Sequence, residues 1–199
     1  MKYITVVGAG GIGSWLAYFL YDLEKNGQLP DTGFTFYDDD VVEQKNVRYQ
    51  NFETDDITDD KVESISARYG FVGVSERIED ISVIADSDCV ICAVDNRDFR
   101  EKLFTTFNTE NSPYWIDLRS EGRSYAYYTK HLKNTTDILL ATLPSGDEAD
   151  INGGSCQLEW ELSEGIIQQG NKIIAGIASQ LILNWLRGEH NALKHITNI

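Results

Sequence analysis

The sequence predicts an α/β fold: a Rossmann-like, doubly wound sheet, parallel in its first half and carrying an antiparallel extension. Three observations predict it. A glycine-rich turn, Gly8-x-Gly10-Gly11-x-Gly13, lies between a short apolar run and a helical pattern. Strand-like and helix-like segments then alternate as far as Ile116, the signature of parallel strands joined by crossover helices. Past Ile116 strand-like segments follow one another over short turns, which suits antiparallel pairing.

Ile4 to Val7 is the first strand, stopping at the glycines. From Trp15 to Leu23 the apolar residues Trp15, Phe19 and Leu23 recur at helical spacing. Gly33 to Tyr37 is the second strand and ends in Asp38-Asp39-Asp40. A polar stretch follows, and Asp60-Lys61-Val62 opens the next helix. Cys89 to Val94 is apolar throughout, as central parallel strands are. It breaks at Asp95-Asn96-Arg97, and Phe99 to Phe107 is helical. Tyr114 to Ile116, Ser124 to Thr129 and Ile138 to Leu140 read as strands. Leu143 to Cys156 is rich in loop residues. A closing helix, roughly Asn171 to Arg187, is apolar on almost every face. No repeat or linker divides the chain, so one domain is expected over 1–199.

Composition narrows the function. The 17 Lys plus Arg stand against 32 Asp plus Glu, a net charge of −15. Such a surface lacks the cation surplus of a general nucleic-acid binder, though a nucleotide pocket needs only a few local cations. Three cysteines form no disulfide framework, and Met1-Lys2-Tyr3 does not resemble a signal peptide. The apolar stretch Ile173 to Leu186 is interrupted by polar residues and is shorter than the roughly 18 needed to span a bilayer. A cytoplasmic protein with no membrane segment is expected.

The glycine turn suits a phosphate, because glycines let it approach the backbone and a helix N-terminus offers unpaired N–H groups. A carboxylate at the end of the second strand, Asp38, can accept both hydroxyls of a ribose. To this point an NAD(P)-dependent oxidoreductase fits equally well. The next residues separate the two readings. Asp38-x-Asp40-x-Val42-x-x-x-Asn46 runs on to Arg48-Tyr49-Gln50, then Lys61, then Asp95-Asn96-x-x-x-Arg100.

This series resembles the ThiF/MoeB/HesA family, prokaryotic relatives of ubiquitin-activating enzymes, over roughly residues 3 to 118. The resemblance implies ATP-dependent adenylation of the C-terminal glycine carboxylate of a ubiquitin-like or sulfur-carrier protein. It implies that Gly8, Gly10, Gly11 and Gly13 form the phosphate loop and that Asp38 takes the ribose. Asp40, Asn46 and Gln50 would shape the pocket, Lys61 would touch the phosphates, and Asp95 would hold Mg²⁺. The phosphate-binding arginine of the family falls at Tyr49, with Arg48 the nearest substitute. A one-residue slip on a helical turn rotates a side chain by about 100°. The family's paired Cys-x-x-Cys zinc motifs are absent from the later half, so no structural zinc is expected. In form the chain is similar to the short ThiF-like proteins of plasmids and phages. A non-catalytic nucleotide- or protein-binding module of the same fold is the alternative.

Other residues have simpler readings. Cys89 and Cys92 lie three apart on one strand, which sends their thiols to opposite faces about 10 Å apart. Cys156, after Gly153-Gly154-Ser155, is the candidate acceptor of an activated acyl group or sulfur. Arg100 is expected to pair with a carboxylate, and Arg119 or Arg123 could replace the missing cation. The closing helix has more apolar surface than one sheet face covers, which predicts a homodimer through it.

Overall fold

The computed structural model describes residues 1–143 and 163–198. The chain enters as β1 (Lys2–Val7), α1 (Gly11–Lys25) and β2 (Thr32–Tyr37). After two short 3-10 turns it forms α2 (Lys61–Tyr69), β3 (Val72–Val74), β4 (Cys89–Cys92) and α3 (Arg97–Phe107). Then come β5 (Tyr114–Glu121), β6 (Ser124–Thr129), α4 (Thr136–Leu140), α5 (Gly170–Leu186) and β7 (Lys194–Asn198). The strands make one sheet in the order β3-β2-β1-β4-β5-β6-β7. From β3 to β5 neighbours are parallel, and β6 and β7 are antiparallel additions. Both halves of the expected sheet are present.

Each face of the sheet has its own core. One packs Ile4, Val6, Phe36, Ile91 and Leu118 against Leu16 of α1, Ile65 of α2 and Ile174, Ala178 and Ile182 of α5. The other packs Val7, Val90 and Trp115 against Phe99, Leu103 and Phe104 of α3 and Leu139 of α4. Cys89 belongs to the first core and Cys92 to the second, so the two thiols cannot share a ligand. Burial raises both thiol pKa values, that of Cys92 to about 12.

Two expectations need correction, and two further strands come to light. Ile138 to Leu140 is helical. Thr135 caps it by accepting the Ile138 N–H at 3.4 Å, and Asp137 favours its first turn electrostatically. Strands β3 and β7 carry no strong apolar alternation and escaped the sequence reading. The closing helix, finally, does not keep a bare apolar stripe. Phe19 of α1 lies 3.7 Å from where a Cβ on Gly176 would be, and Trp185 stacks on Tyr114 at 5.9 Å. Lys172 sits 4.1 Å over Trp15. None of the large apolar side chains of α5 is among the exposed ones, though Ile173, Ile177, Trp185 and Leu186 stay half-buried. Among the described residues no helix is long and apolar enough to cross a membrane.

Candidate functional site

In an open α/β sheet, ligands bind beyond the strand C-termini where the strand order reverses. Here that point lies between β1 and β4. A cleft of about 700 Å³ opens there, lined by Gly8, Gly10, Asp38, Lys61, Asp95 and neighbours from four strand ends and the following loops.

The glycine turn is shaped by close approach. Gly8 has φ +101°, and a Cβ on it would meet the Ala93 carbonyl at 2.8 Å. A Cβ on Gly13 would stand 1.9 Å from the Gly8 carbonyl oxygen, so Gly13 sets the contact of α1 with β1. Gly10 and Gly11 border the cleft, and nothing lies within 4 Å of a Cβ on Gly10. No side chain caps α1, which leaves N–H groups of its first turn open to an anion.

Asp38 is held in place by the backbone. Its Oδ2 accepts the Ala9 N–H at 2.6 Å and its Oδ1 the Asp40 N–H at 3.0 Å. Burial raises its pKa, opposed by the nearby Lys61 charge and by these two hydrogen bonds. Lys61, the first residue of α2, is 5% exposed; its Nζ lies 2.5 Å from Asp40 Oδ2 and 3.9 Å from Asp38 Oδ1. The loop after β2 is held by Asn46, whose Oδ1 accepts the Glu43 N–H at 2.8 Å. Gln50 lines the cleft and is 8% exposed; its buried Oε1 has no partner among the described residues.

Asp95 faces the same cleft and is exposed. Asn96, not Asp95, caps α3, its Oδ1 accepting the Phe99 N–H at 3.1 Å. Arg100 pairs with the fully buried Asp117 (Nε to Oδ1, 2.9 Å) and bonds the Leu118 carbonyl. Arg119 pairs with the other Asp117 oxygen at 2.7 Å, reaches Thr142 and stacks over Tyr128. It is therefore committed to structure. Arg48 ends a 3-10 turn, and Tyr49, not Arg48, lines the cleft. The Arg48 guanidinium instead approaches Gly165, 3.9 Å from where a Cβ there would be. Cys156 lies outside the described residues.

The described cations around the cleft are Lys45, Lys61 and Arg77, against six carboxylates. Lys45 and Arg77 were not foreseen. Arg77 arrives on the segment after β3, which no periodicity announced, and Lys45 carries no motif position.

The glycine loop, Asp38, Lys61 and Asp95 thus converge at one switch point, in the order the motifs run along the chain. The sequence matches the ThiF family over residues 2–199. The chain belongs to the ThiF family. A comparison with curated protein sequences found no match. Solved structures share the ThiF-type fold: PaaA superposes with a TM-score of 0.67 at 20% identity, over 100% of this chain and 61% of that one. MccB of E. coli with ATP gives 0.63 at 14%, over 99% and 63%. The microcin C7 biosynthetic enzyme MccB with N-formylated MccA gives 0.66 at 13%, over 99% and 64%. This ThiF-family chain therefore spans less than two thirds of each of those proteins.

Proposed function

We propose that the protein is a cytoplasmic adenylyltransferase, a single ThiF-like domain over 1–199, that uses ATP to activate the C-terminal carboxylate of a protein or peptide. A ubiquitin-like or sulfur-carrier protein ending in glycine is the proposed partner. The observation that carries this reading is the convergence of Asp38, Lys61 and Asp95 on one cleft beside an uncapped α1 N-terminus. The fold it shares with MccB, solved with ATP and with MccA, supports it.

In this reading the partner's carboxylate oxygen attacks the α-phosphorus. The bond to the β-phosphate bridging oxygen breaks, and pyrophosphate leaves with its electron pair. Little proton transfer is required, so the protein's task is positioning and charge stabilisation. The Gly8–Gly13 turn presents N–H groups to the phosphates. Asp38 accepts the ribose hydroxyls, and Gln50 Oε1 takes a donor from the ligand. Lys61 Nζ supplies positive charge, exchanging part of its contact with Asp40 for phosphate oxygens. Arg48 would reach the phosphates only if its turn rearranged.

The oxygen-rich cleft also fits Mg²⁺. Carboxylate oxygens of Asp38, Asp39 and Asp40 lie within 4.8 Å of one another, and Asp95 adds another hard donor. Asp95 is the proposed principal ligand, and the ion would neutralise phosphate charge. A homodimer remains part of this reading.

The test is Mg²⁺-dependent exchange of labelled pyrophosphate into ATP in the presence of a candidate partner. Asp95→Asn should melt like the wild type and lose exchange. An unchanged exchange rate would move the metal site away from Asp95. The second reading, a binding module without turnover, is favoured by Tyr49 standing at the cleft. It predicts ATP binding with no exchange under any partner.

A further inference from the structure

Among the described residues, the N-terminal end of α5 holds polar atoms without hydrogen-bond partners. Asn171, its second residue, is 2% exposed, and neither its Nδ2 nor its Oδ1 makes a hydrogen bond to a described residue. Beside it, the buried Ser120 Oγ is also unpartnered, 2.7 Å from where a Cβ on Gly170 would stand. Buried amides nearly always find a partner, and an unmade bond there is a standing cost to the fold.

The Asn171 carboxamide is aimed at the glycine loop. Its Nδ2 lies 2.3 Å, and its Cγ 2.9 Å, from the position of a Cβ on Gly11. Gly11 is the first residue of α1 and also borders the cleft. One glycine therefore separates the unpartnered amide from the cleft where α1 opens its N–H groups. The positive ends of two long helices meet at this residue.

We propose that Asn171 is a positioning residue for phosphate binding. When a phosphoryl group enters the glycine loop, the loop backbone takes up a hydrogen bond with the Asn171 carboxamide. That bond holds the first N–H groups of α1 on the phosphate. The absence of a side chain at Gly11 is what lets the amide stand close enough to do this. The inference rests on the nucleotide reading above, and it assigns to α5 a part in the site that no motif announces.

Calorimetry with ATP and with adenosine, which lacks phosphates, tests it on the wild type, Asn171→Leu and Asn171→Ala. Both variants should lose about 3- to 10-fold in ATP affinity, the range of one ordinary hydrogen bond, while adenosine affinity stays unchanged. Asn171→Leu, which keeps the branched shape, should melt no lower than the wild type without ligand, since the group removed has no partner there. Variants that keep the wild-type ratio of ATP to adenosine affinity would overturn the proposal. So would an equal loss of both ligands with a lowered melting temperature, which marks a purely structural residue. A wild type that binds neither ligand would instead sink the nucleotide reading itself, and this inference with it.

Discussion

Asp38 shows how much a single carboxylate is asked to do. Two backbone N–H groups fix its oxygens, and Lys61 stands 3.9 Å away, yet burial still wins and raises its pKa above the ordinary aspartate value. A raised acid pKa means that the proton is held more tightly in the folded protein, so the accepting form is lost at a higher pH than usual. Adenosine affinity should therefore fall as pH drops through that raised pKa. The pH dependence should vanish in Asp38→Asn. At neutral pH the same substitution should cost roughly 1.5–3 kcal/mol of nucleotide binding, the worth of hydrogen bonds to a charged group. Calorimetry across a pH series checks both. A wild-type profile that matches the Asp38→Asn profile across the acid range would remove Asp38 from the ribose role.

At the scale of the element, the β1–α1 turn separates glycines that serve packing from those that serve the ligand. Gly13 lies against the Gly8 carbonyl, whereas Gly10 looks into open space beside the cleft. Gly13→Ala should therefore destabilise the fold by about 1–3 kcal/mol, the usual range for an overpacked contact. Gly10→Ala should cost the fold far less and weaken ATP binding, because its methyl group projects where phosphate would approach. Thermal melts and ATP titrations of the two variants separate the roles. Equal melting temperatures for both would contradict the division.

For the whole molecule, electrostatics opposes a polyphosphate. The net charge is −15, and the described residues of the cleft include more carboxylates than cations. Free ATP should therefore associate faster as salt rises from about 0.01 to 0.15 M, since the Debye length shrinks from about 30 to 8 Å. A basic phosphate site would show the opposite trend. Stopped-flow binding at several ionic strengths, without and with Mg²⁺, measures the slope. A rate that falls with salt in the metal-free series would mean that Lys45, Lys61 and Arg77 dominate the local field.

Local pattern determined the alternation of strands and helices, the site at the strand ends, and the pairing of Gly8–Gly13 with Asp38, Lys61 and Asp95. Those features are legible because each depends on short-range chemistry: a turn only glycine can make, a carboxylate at a strand end, an apolar run too continuous to face water. The environment of the closing helix was not legible. Its apolar circumference reads the same whether a second copy or α1 covers it, and only the packed chain shows that Phe19, Trp15 and Tyr114 pack against part of it. The helical state of Thr136–Leu140 turned on the Thr135 cap, which an apolar Ile-Leu-Leu run obscures. Asn171 is the strongest case. In the sequence it is one polar residue opening an apolar helix, and only a tertiary contact across more than a hundred residues sets its amide against Gly11. Sequence determines what a residue can offer, and packing decides which residues stand close enough to receive it.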